Sequence, residues 1–418
     1  MTVVVKTRYM LIPLLAAAFL MNGCVRGVSV EVTNPTENDR LCELAEIDAV
    51  QLAARLPLAD GEAYAVKDKS GTTLPSQITS DGKLVFPLCL KASESKSYRV
   101  IVVAEGSNPA EMTACGRVYP ERLDDLAWEN DKAGFRAYGP GLQARGERGF
   151  GYDLFTKRGT AAPVLDTLYA HECDPAKWEL IRELRKSDPE KAAELHHAAS
   201  YHIDHGYGMD CYAVGPTLGA GVAALLDDEG EIVYPWCWQQ CEVLDNGPLR
   251  FRARLTFGPL DITADEKVVE TRIITLDAGS HFNRTEVSYE GLKETRAIVS
   301  GIVLHDTLGT VLADNELGII AYEDPTTGPD NGKIYLGHVA GADFRDATVS
   351  WFTPGESATR NNALGHVLVS AAVAPESSYT YWWGFGWDRG DVADFDAWKV
   401  ELETAALSLR NPLTVNIK

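Results

Sequence analysis

The 418-residue chain predicts an all-β protein: a small N-terminal β-sandwich, then a large antiparallel β-sandwich carrying a short helical insertion. Three observations carry that prediction. Short runs of alternating apolar and polar residues recur along the chain, clusters of Gly, Pro, Asn, Asp and Ser separate them, and one interruption has apolar residues at helical spacing.

The first segment, residues 1–23, precedes the fold. Lys6 and Arg8 give it a basic start, Leu11 to Met21 form an apolar run, and small residues lead to Cys24, the pattern of an export signal rather than a spanning helix. The ending "LMNGC" resembles a bacterial lipobox, with Cys24 as the lipidated residue, although Asn22 departs from the usual small residue there. An ordinary secretory cleavage nearby is the alternative. Either way the expected location is outside the cytoplasm, periplasmic or outer-membrane-anchored, with the membrane reached only through lipid at Cys24.

Loss of Lys6 and Arg8 with that segment moves the net charge from −21 to −23. Such an acidic surface excludes nucleic acid as a partner, since phosphates require clustered Lys and Arg, and any anionic substrate must be gripped locally. Cys42, Cys89, Cys115, Cys173, Cys211, Cys237 and Cys241 remain once Cys24 is assigned to lipid. Seven is odd, so at least one thiol stays unpaired, and spacing does not fix connectivity. Cys237 and Cys241 lack the second pair a zinc site needs and flank Trp238, which reads as core strand.

Residues 24–112 form the first sandwich by pattern: "VSVEVTNP", "AYAVKD", "KLVFPLCL" and "SYRVIVVAE" alternate with the turn signals "TEND", "KSGTT", "TSDGK" and "KASESK". "EGSNPAEM" reads as the linker. Residues 113–418 keep the same habit in longer strands, for example "LRFRARLTFG", with Arg250, Arg252 and Arg254 on one face and Leu249, Phe251 and Ala253 on the other. The helical interruption is "DPAKWELIRELRKSDPEKAAELHHAAS". Pro175 and Pro189 follow acidic starts, and Trp178, Ile181 and Leu184 share a face, so two short helices are expected between Asp174 and Ser200, forming either a pocket wall or a surface elaboration.

Two motifs concentrate chemistry. In "VYPERLDDLAWENDKAGFRAYGP", Trp128 is an aromatic suited to stacking on a sugar, and Arg136, alternating with Phe135 and Tyr138, must face a pocket or a buried carboxylate. In "YHIDHGYGMDCYAVGPTLGAGVAAL", histidines, aspartates and tyrosines crowd among glycines. An extended strand there would put His202, Asp204 and Asp210 on one face and His205 and Tyr207 on the other, so both histidines serve one site only if "HGYG" bends. A metal reading competes: His202, Asp204 and His205 for zinc, or Asp204 and Asp210 for calcium, as a possible divalent cofactor. The bland account has these rings satisfied by hydrogen bonds within the sandwich.

These two motifs, with "GPLRFRARLTF", "TLDAGSHFNRTEV" and "YTYWWGFGWDRGDVADFDAW", resemble the family of exported bacterial proteins that includes the ulvan oligosaccharide dehydratase, first catalogued as a domain of unknown function. The resemblance runs from about Arg117 to the end and departs at Tyr207, a position often acidic in the family. By fold-level analogy, the long strands and "LDAGSHFNRTEVSYEG" suggest a galactose-mutarotase-like supersandwich. The resemblance implies removal of water from a non-reducing-end uronate of an acidic oligosaccharide, by proton abstraction at C5 and elimination at C4. That chemistry needs a cation at the carboxylate (Arg136 or Arg272), a base (His202 or His205), a proton donor (Tyr207 or Tyr212) and a group orienting a histidine (Asp204). His305 and His366 are further pocket candidates, and Trp387 and Arg389 further substrate contacts. The alternatives are a chain-cleaving polysaccharide lyase, a glycoside hydrolase on acidic glycans, and a non-catalytic surface glycan-binding lipoprotein.

Overall fold

The computed structural model describes residues 26–107, 110–159, 163–341 and 343–418, with side chains at all of these except 41 and 42. The export segment and Cys24 lie outside them. Among the described residues the strands form five antiparallel sheets.

Two sheets make the small sandwich. One runs, in spatial order, Thr414–Ile417, Gly27–Thr33, Ser95–Ala104, Glu62–Lys67 and Thr73–Leu74; the other runs Arg40–Asp48, Lys83–Leu90 and Gln77–Ile78. Alternation is the cause: Val30 and Val32 point inward to meet Ala45, Ile47, Phe86, Leu88 and Val100. The last strand of the chain thus pairs with the first, Val30 opposite Ile417. A seven-residue helix, Ala49–Arg55, is started by the Asp48 carboxylate, which accepts from the Val50 and Gln51 amides.

The large sandwich stacks a nine-stranded sheet on a five-stranded one. The first contains Trp238–Asn246, Arg250–Phe257, Glu266–Asp277, Phe282–Glu290, Ser378–Trp387, Ile334–Ala340, Ile319–Asp324 and Val311–Asp314 in spatial order, with Leu260–Thr263 paired to Glu266–Asp277. The second is Ile232–Val233, Val222–Leu226, Arg296–Leu304, Gly365–Val373 and Asp346–Trp351. A four-stranded sheet, Asp153–Phe155, Gly134–Ala137, Asp125–Glu129 and Cys115–Tyr119, shares the same core, in which Trp128, Phe135, Phe251, Ile302 and Trp383 are all buried. The all-β supersandwich expectation is therefore met. The small sandwich covers part of the arginine face of Arg250–Phe257: Arg250 pairs with Glu46 and Asp277, and Arg252 with Asp81 and Asp245, while Arg254 is exposed and pairs with Glu242.

The two expected helices are Pro175–Ser187 and Pro189–Ala199, started by Asp174 and Asp188, whose carboxylates accept amides of the first turn. Two others were not anticipated. Leu165–Glu172 precedes this pair, and Phe395–Arg410 buries Trp398, Leu402 and Ala406 against the outer face of the nine-stranded sheet. There Gly337 permits the approach, since a Cβ would lie 2.6 Å from Leu402. Cys115, Cys173, Cys211, Cys237 and Cys241 are free thiols, with Cys237 buried on the approach to the strand as its apolar context implied.

Candidate functional site

The two motifs meet around one arginine. Register places Arg136 opposite Asp153 on one side and Ala127 on the other, aiming its guanidinium into a buried pocket of acids. Its Nε donates to Asp153 at 3.1 Å, Nη2 to Asp153 and to Asp210 (2.8 Å), and Nη1 to the Tyr201 hydroxyl (3.0 Å), with Asp125 3.5 Å away. Tyr138 also donates to Asp153. One cation among three acids does not neutralise them, and burial pushes both Asp125 and Asp210 up to about 6. Arg136 is thus committed inside the protein, to buried carboxylates and not to a substrate.

The segment after Ala199 folds back on itself. Asp210 N donates to Tyr201 O at 2.9 Å, closing a loop whose bend is made by Gly206 (φ 92°) and Gly208 (φ 108°). Glycine is required at 208, where a Cβ would stand 1.8 Å from the Thr156 carbonyl oxygen. Asp204 holds the bend: Oδ1 accepts from Gly206 N (2.8 Å) and Gly208 N (3.0 Å), and Oδ2 from Arg158 (2.5 Å). Burial works against this carboxylate, yet those bonds keep its pKa below the ordinary value. It orients the loop, not a histidine.

His202 stands outside the bend with its side chain 57% exposed. Its Nδ1 faces the Asp210 carbonyl at 3.0 Å and donates to it, while among the described residues Nε2 makes no hydrogen bond. His205 is exposed too, but its Nε2 is engaged by the Ser200 carbonyl at 3.1 Å, and Tyr207 is a 45% exposed ring at the tip. The metal sets suggested by sequence do not assemble. Asp204 answers Arg158, Asp210 answers Arg136, the His202 and His205 rings bond different carbonyls, and among the described residues no group of three His, Cys, Asp or Glu side chains is placed to hold an ion.

A second cluster lies at the strand ends that follow. His305, just past Arg296–Leu304, donates from Nδ1 to Asp324 at 2.6 Å; Asp324 is buried and also accepts from Thr326 N. Burial alone would lower the His305 pKa, but Asp324 and the Ala213 carbonyl raise it above the ordinary value. The Tyr212 ring packs edge-on against it, centroids 5.5 Å apart, and the Tyr212 hydroxyl is buried without a partner. Burial, then the charges of Asp324 and Asp153, push that phenol well up. His366 is different: its Nε2 accepts from Leu218 N at 3.2 Å, and burial lowers it to about 3, so it is a neutral, enclosed ring.

The remaining predicted contacts are interior. Trp128 is wholly buried with Nε1 on Asn283, so it packs in the core instead of stacking on a sugar; Arg272 points between the sheets to Glu270; Trp387 is 2% exposed with Nε1 on the Asn331 carbonyl. Arg389 is exposed, and its carbonyl accepts from Arg158, whose guanidinium lies 5.1 Å from the Trp387 ring. Sequence reasoning missed Asp153, Asp324, Arg158 and Arg360. Asp153 had a signal, an acid inside the apolar run "GYDLF"; the partners of the others lie far away in the chain.

Comparison with known proteins adds the following. A curated relative, "Uncharacterized protein P7" of Formosa agariphila, is 26% identical over 97% of this chain and 98% of its own. Two solved structures share the architecture at low identity. One is a glycosyl hydrolase family 38 protein of Enterococcus faecalis (TM-score 0.50, 9% identity, 94% of this chain), and the other an α-mannosidase of Enterococcus faecalis V583 (TM-score 0.48, 8% identity, 94% of this chain). The chain spans about half the length of each, 47% and 46% respectively, and the likeness concerns fold alone. The model of a domain of unknown function, DUF4861, matches residues 32–415, and the chain belongs to that family.

Proposed function

We propose that the protein is an exported carbon–oxygen lyase that dehydrates a non-reducing-end uronate of acidic oligosaccharides to a 4,5-unsaturated uronate. One observation carries the reading. The acids of the site are engaged by cations (Asp125, Asp153 and Asp210 by Arg136, Glu129 by Lys157, Asp204 by Arg158, Asp324 by His305), while the His202 imidazole keeps a free edge. Glycoside hydrolysis requires two carboxyl groups flanking the bond. Proton abstraction beside a carboxylate requires a base and a proton donor, which imidazoles supply.

In this reading His202 Nε2 removes the C5 proton, the C5–H electron pair becomes the C4–C5 double bond, and the C4–O bond breaks. The leaving hydroxyl takes a proton from His305, whose hold on that proton Asp324 strengthens, and departs as water. Tyr212, against the His305 ring, holds that ring in place. The resemblance to the ulvan dehydratase family, and the fold shared with a glycosyl hydrolase family 38 protein, support a sugar substrate. Lipidation at Cys24 would tether the domain at the membrane.

The test is incubation with uronate-ended oligosaccharides, following the ultraviolet absorbance of the conjugated product. A rise that His202→Ala and His305→Ala each abolish, with melting temperatures unchanged, supports the assignment. Reducing sugar without that absorbance moves the reading to a hydrolase; a shortened chain with the absorbance, to a polysaccharide lyase; sugar affinity with neither product, to a binding protein.

A further inference from the structure

Arg136, Arg250, Arg252, Arg272 and Arg296 each contact at least one carboxylate within 4.0 Å, whereas among the described residues the half-buried Arg122 and Arg360 contact none, and of these two Arg122 donates to the Tyr201 hydroxyl inside the acid cluster. Arg360 is nonetheless held firmly. Its guanidinium carbon lies 4.6 Å from the Tyr234 ring centroid and 4.9 Å from that of Phe352, and Nη1 donates to the Pro216 carbonyl at 2.7 Å. Nε is buried without a partner, and Nη2 makes no hydrogen bond. Glu356, one turn earlier, is occupied in capping its own helix, accepting from Thr353 N and Oγ1 at 2.8 Å each.

Nε is closed to solvent, so the terminal edge carrying Nη2 is what an oriented guanidinium can offer here to an anion, through charge-assisted hydrogen bonds. Its surroundings suit a sugar. Tyr234, one of the two rings beside the cation, packs against Phe150 (5.4 Å), which meets Trp236 (6.3 Å), so a run of half-buried aromatic rings leads up to the guanidinium. The position also adjoins the reacting cluster. Leu364 N donates to Leu304 O at 2.8 Å, placing the Arg360 turn beside the strand end that carries His305, and Pro216, which Arg360 grips, continues the loop from Tyr212.

We propose that Arg360, clasped by Tyr234 and Phe352, is the subsite for the charged group of an acidic sugar, a carboxylate or a sulfate ester. This rests on the acidic-sugar part of the reading above and replaces Arg136 and Arg272, both committed internally, as the specificity-determining cation. In so acidic a protein, one fixed cation with an open edge selects anionic sugars at contact range, where long-range attraction is absent.

The test is calorimetric titration of the full chain with methyl glucuronide, a sulfated methyl glucoside and neutral methyl glucoside. The native protein is expected to favour the anionic sugars, and the stronger of the two identifies the group recognised. Arg360→Gln is expected to weaken that sugar about tenfold or more while leaving the neutral one unchanged, and Arg360→Lys, which keeps the charge but not the fork, to weaken it less. Equal affinity of native protein and Arg360→Gln for the anionic sugar, or no preference of the native protein for anions, overturns the subsite. If Arg360→Gln fails to fold, equal affinity of the native protein and Arg360→Lys for the anionic sugar overturns the forked subsite. Anion binding that depends on Arg360 without unsaturated product overturns the lyase and leaves the subsite; product formation indifferent to Arg360→Gln does the reverse.

Discussion

The docking of the C-terminal helix yields a prediction with a definite sign. His281, at the start of the strand Phe282–Glu290, is 7% exposed and bridges Glu401 of the helix (2.8 Å from Nδ1) and Asp391 (3.0 Å from Nε2). Burial lowers the pKa of such a ring, but the two carboxylates outweigh it and lift His281 from 6.5 to about 9. That rise corresponds to about 3 kcal/mol of preference for the folded state when the ring is charged. Asp391 and Glu401 are 41% and 40% exposed, so solvent screening reduces this to about 2 kcal/mol. Because the folded pKa is raised, the contribution is complete below 6.5 and disappears as pH climbs through about 9. The perturbation is His281→Gln, which removes the titrating charge. Urea denaturation followed by tryptophan fluorescence is expected to show the variant about 2 kcal/mol less stable than the native protein near pH 6, and the two nearly equal near pH 10. A difference that stays constant across that range, or widens with pH, would refute the charged bridge.

Other outcomes follow from the site. Tyr212→Phe removes a buried hydroxyl that has no partner among the described residues and keeps the ring that packs on His305, so thermal melts are expected to show no loss of stability; a lower melting temperature would mean that the hydroxyl is satisfied in the native protein. Asp324→Asn withdraws the acid that raises the His305 pKa, so the decline of turnover at alkaline pH, where the proton donor is lost, should move to lower pH in a rate profile; an unmoved profile removes His305 from that role. Arg136→Met leaves Asp125, Asp153 and Asp210 without their shared cation, a loss of about 3–5 kcal/mol read by chemical denaturation, and a stability change near zero would mean the cluster is wet. Gly208→Ala should destabilise the loop, detected as faster hydrogen exchange at residues 201–210.

Much of this architecture was legible because it rests on local rules. Asp174 and Asp188 followed by proline announce two helices, and strand alternation announces the sandwiches. The bend at "HGYG" was legible as a condition, and Gly206 and Gly208 meet it with positive φ. Sequence reasoning missed the Phe395–Arg410 helix: Trp398 stands there only as the end of the closing aromatic motif, although Trp398, Leu402 and Ala406 recur every four residues, the spacing of one helix face. Long-range pairing was the real barrier. Arg136 carries a guanidinium that sequence can assign to substrate or to acids, and only the register opposite Asp153 and the fold-back of Asp210 decide between them. Arg272 lies in the alternating series Val268, Glu270, Arg272, Ile274 and Leu276, all inward, so a charge pair on an otherwise apolar face was the available sign that it belongs to the interior.

The placement of the second cluster has a mechanical consequence. Val303 N bonds Gly219 O (3.0 Å), Leu364 N bonds Leu304 O (2.8 Å), and Thr327 N bonds Cys211 O (2.9 Å). These three backbone bonds tie the Tyr212 loop, the His305 end, the Arg360 turn and the segment after Asp324 to one another. Two of these pieces belong to the five-stranded sheet and one to the nine-stranded sheet, so the cluster spans the joint between the layers. Gly219, at φ 57° with a would-be Cβ 2.5 Å from the Tyr152 carbonyl, lets the loop pass close enough to make its bond. A side chain at 219 would therefore move Tyr212 and His305 together, by way of the bond to Val303, without touching either ring.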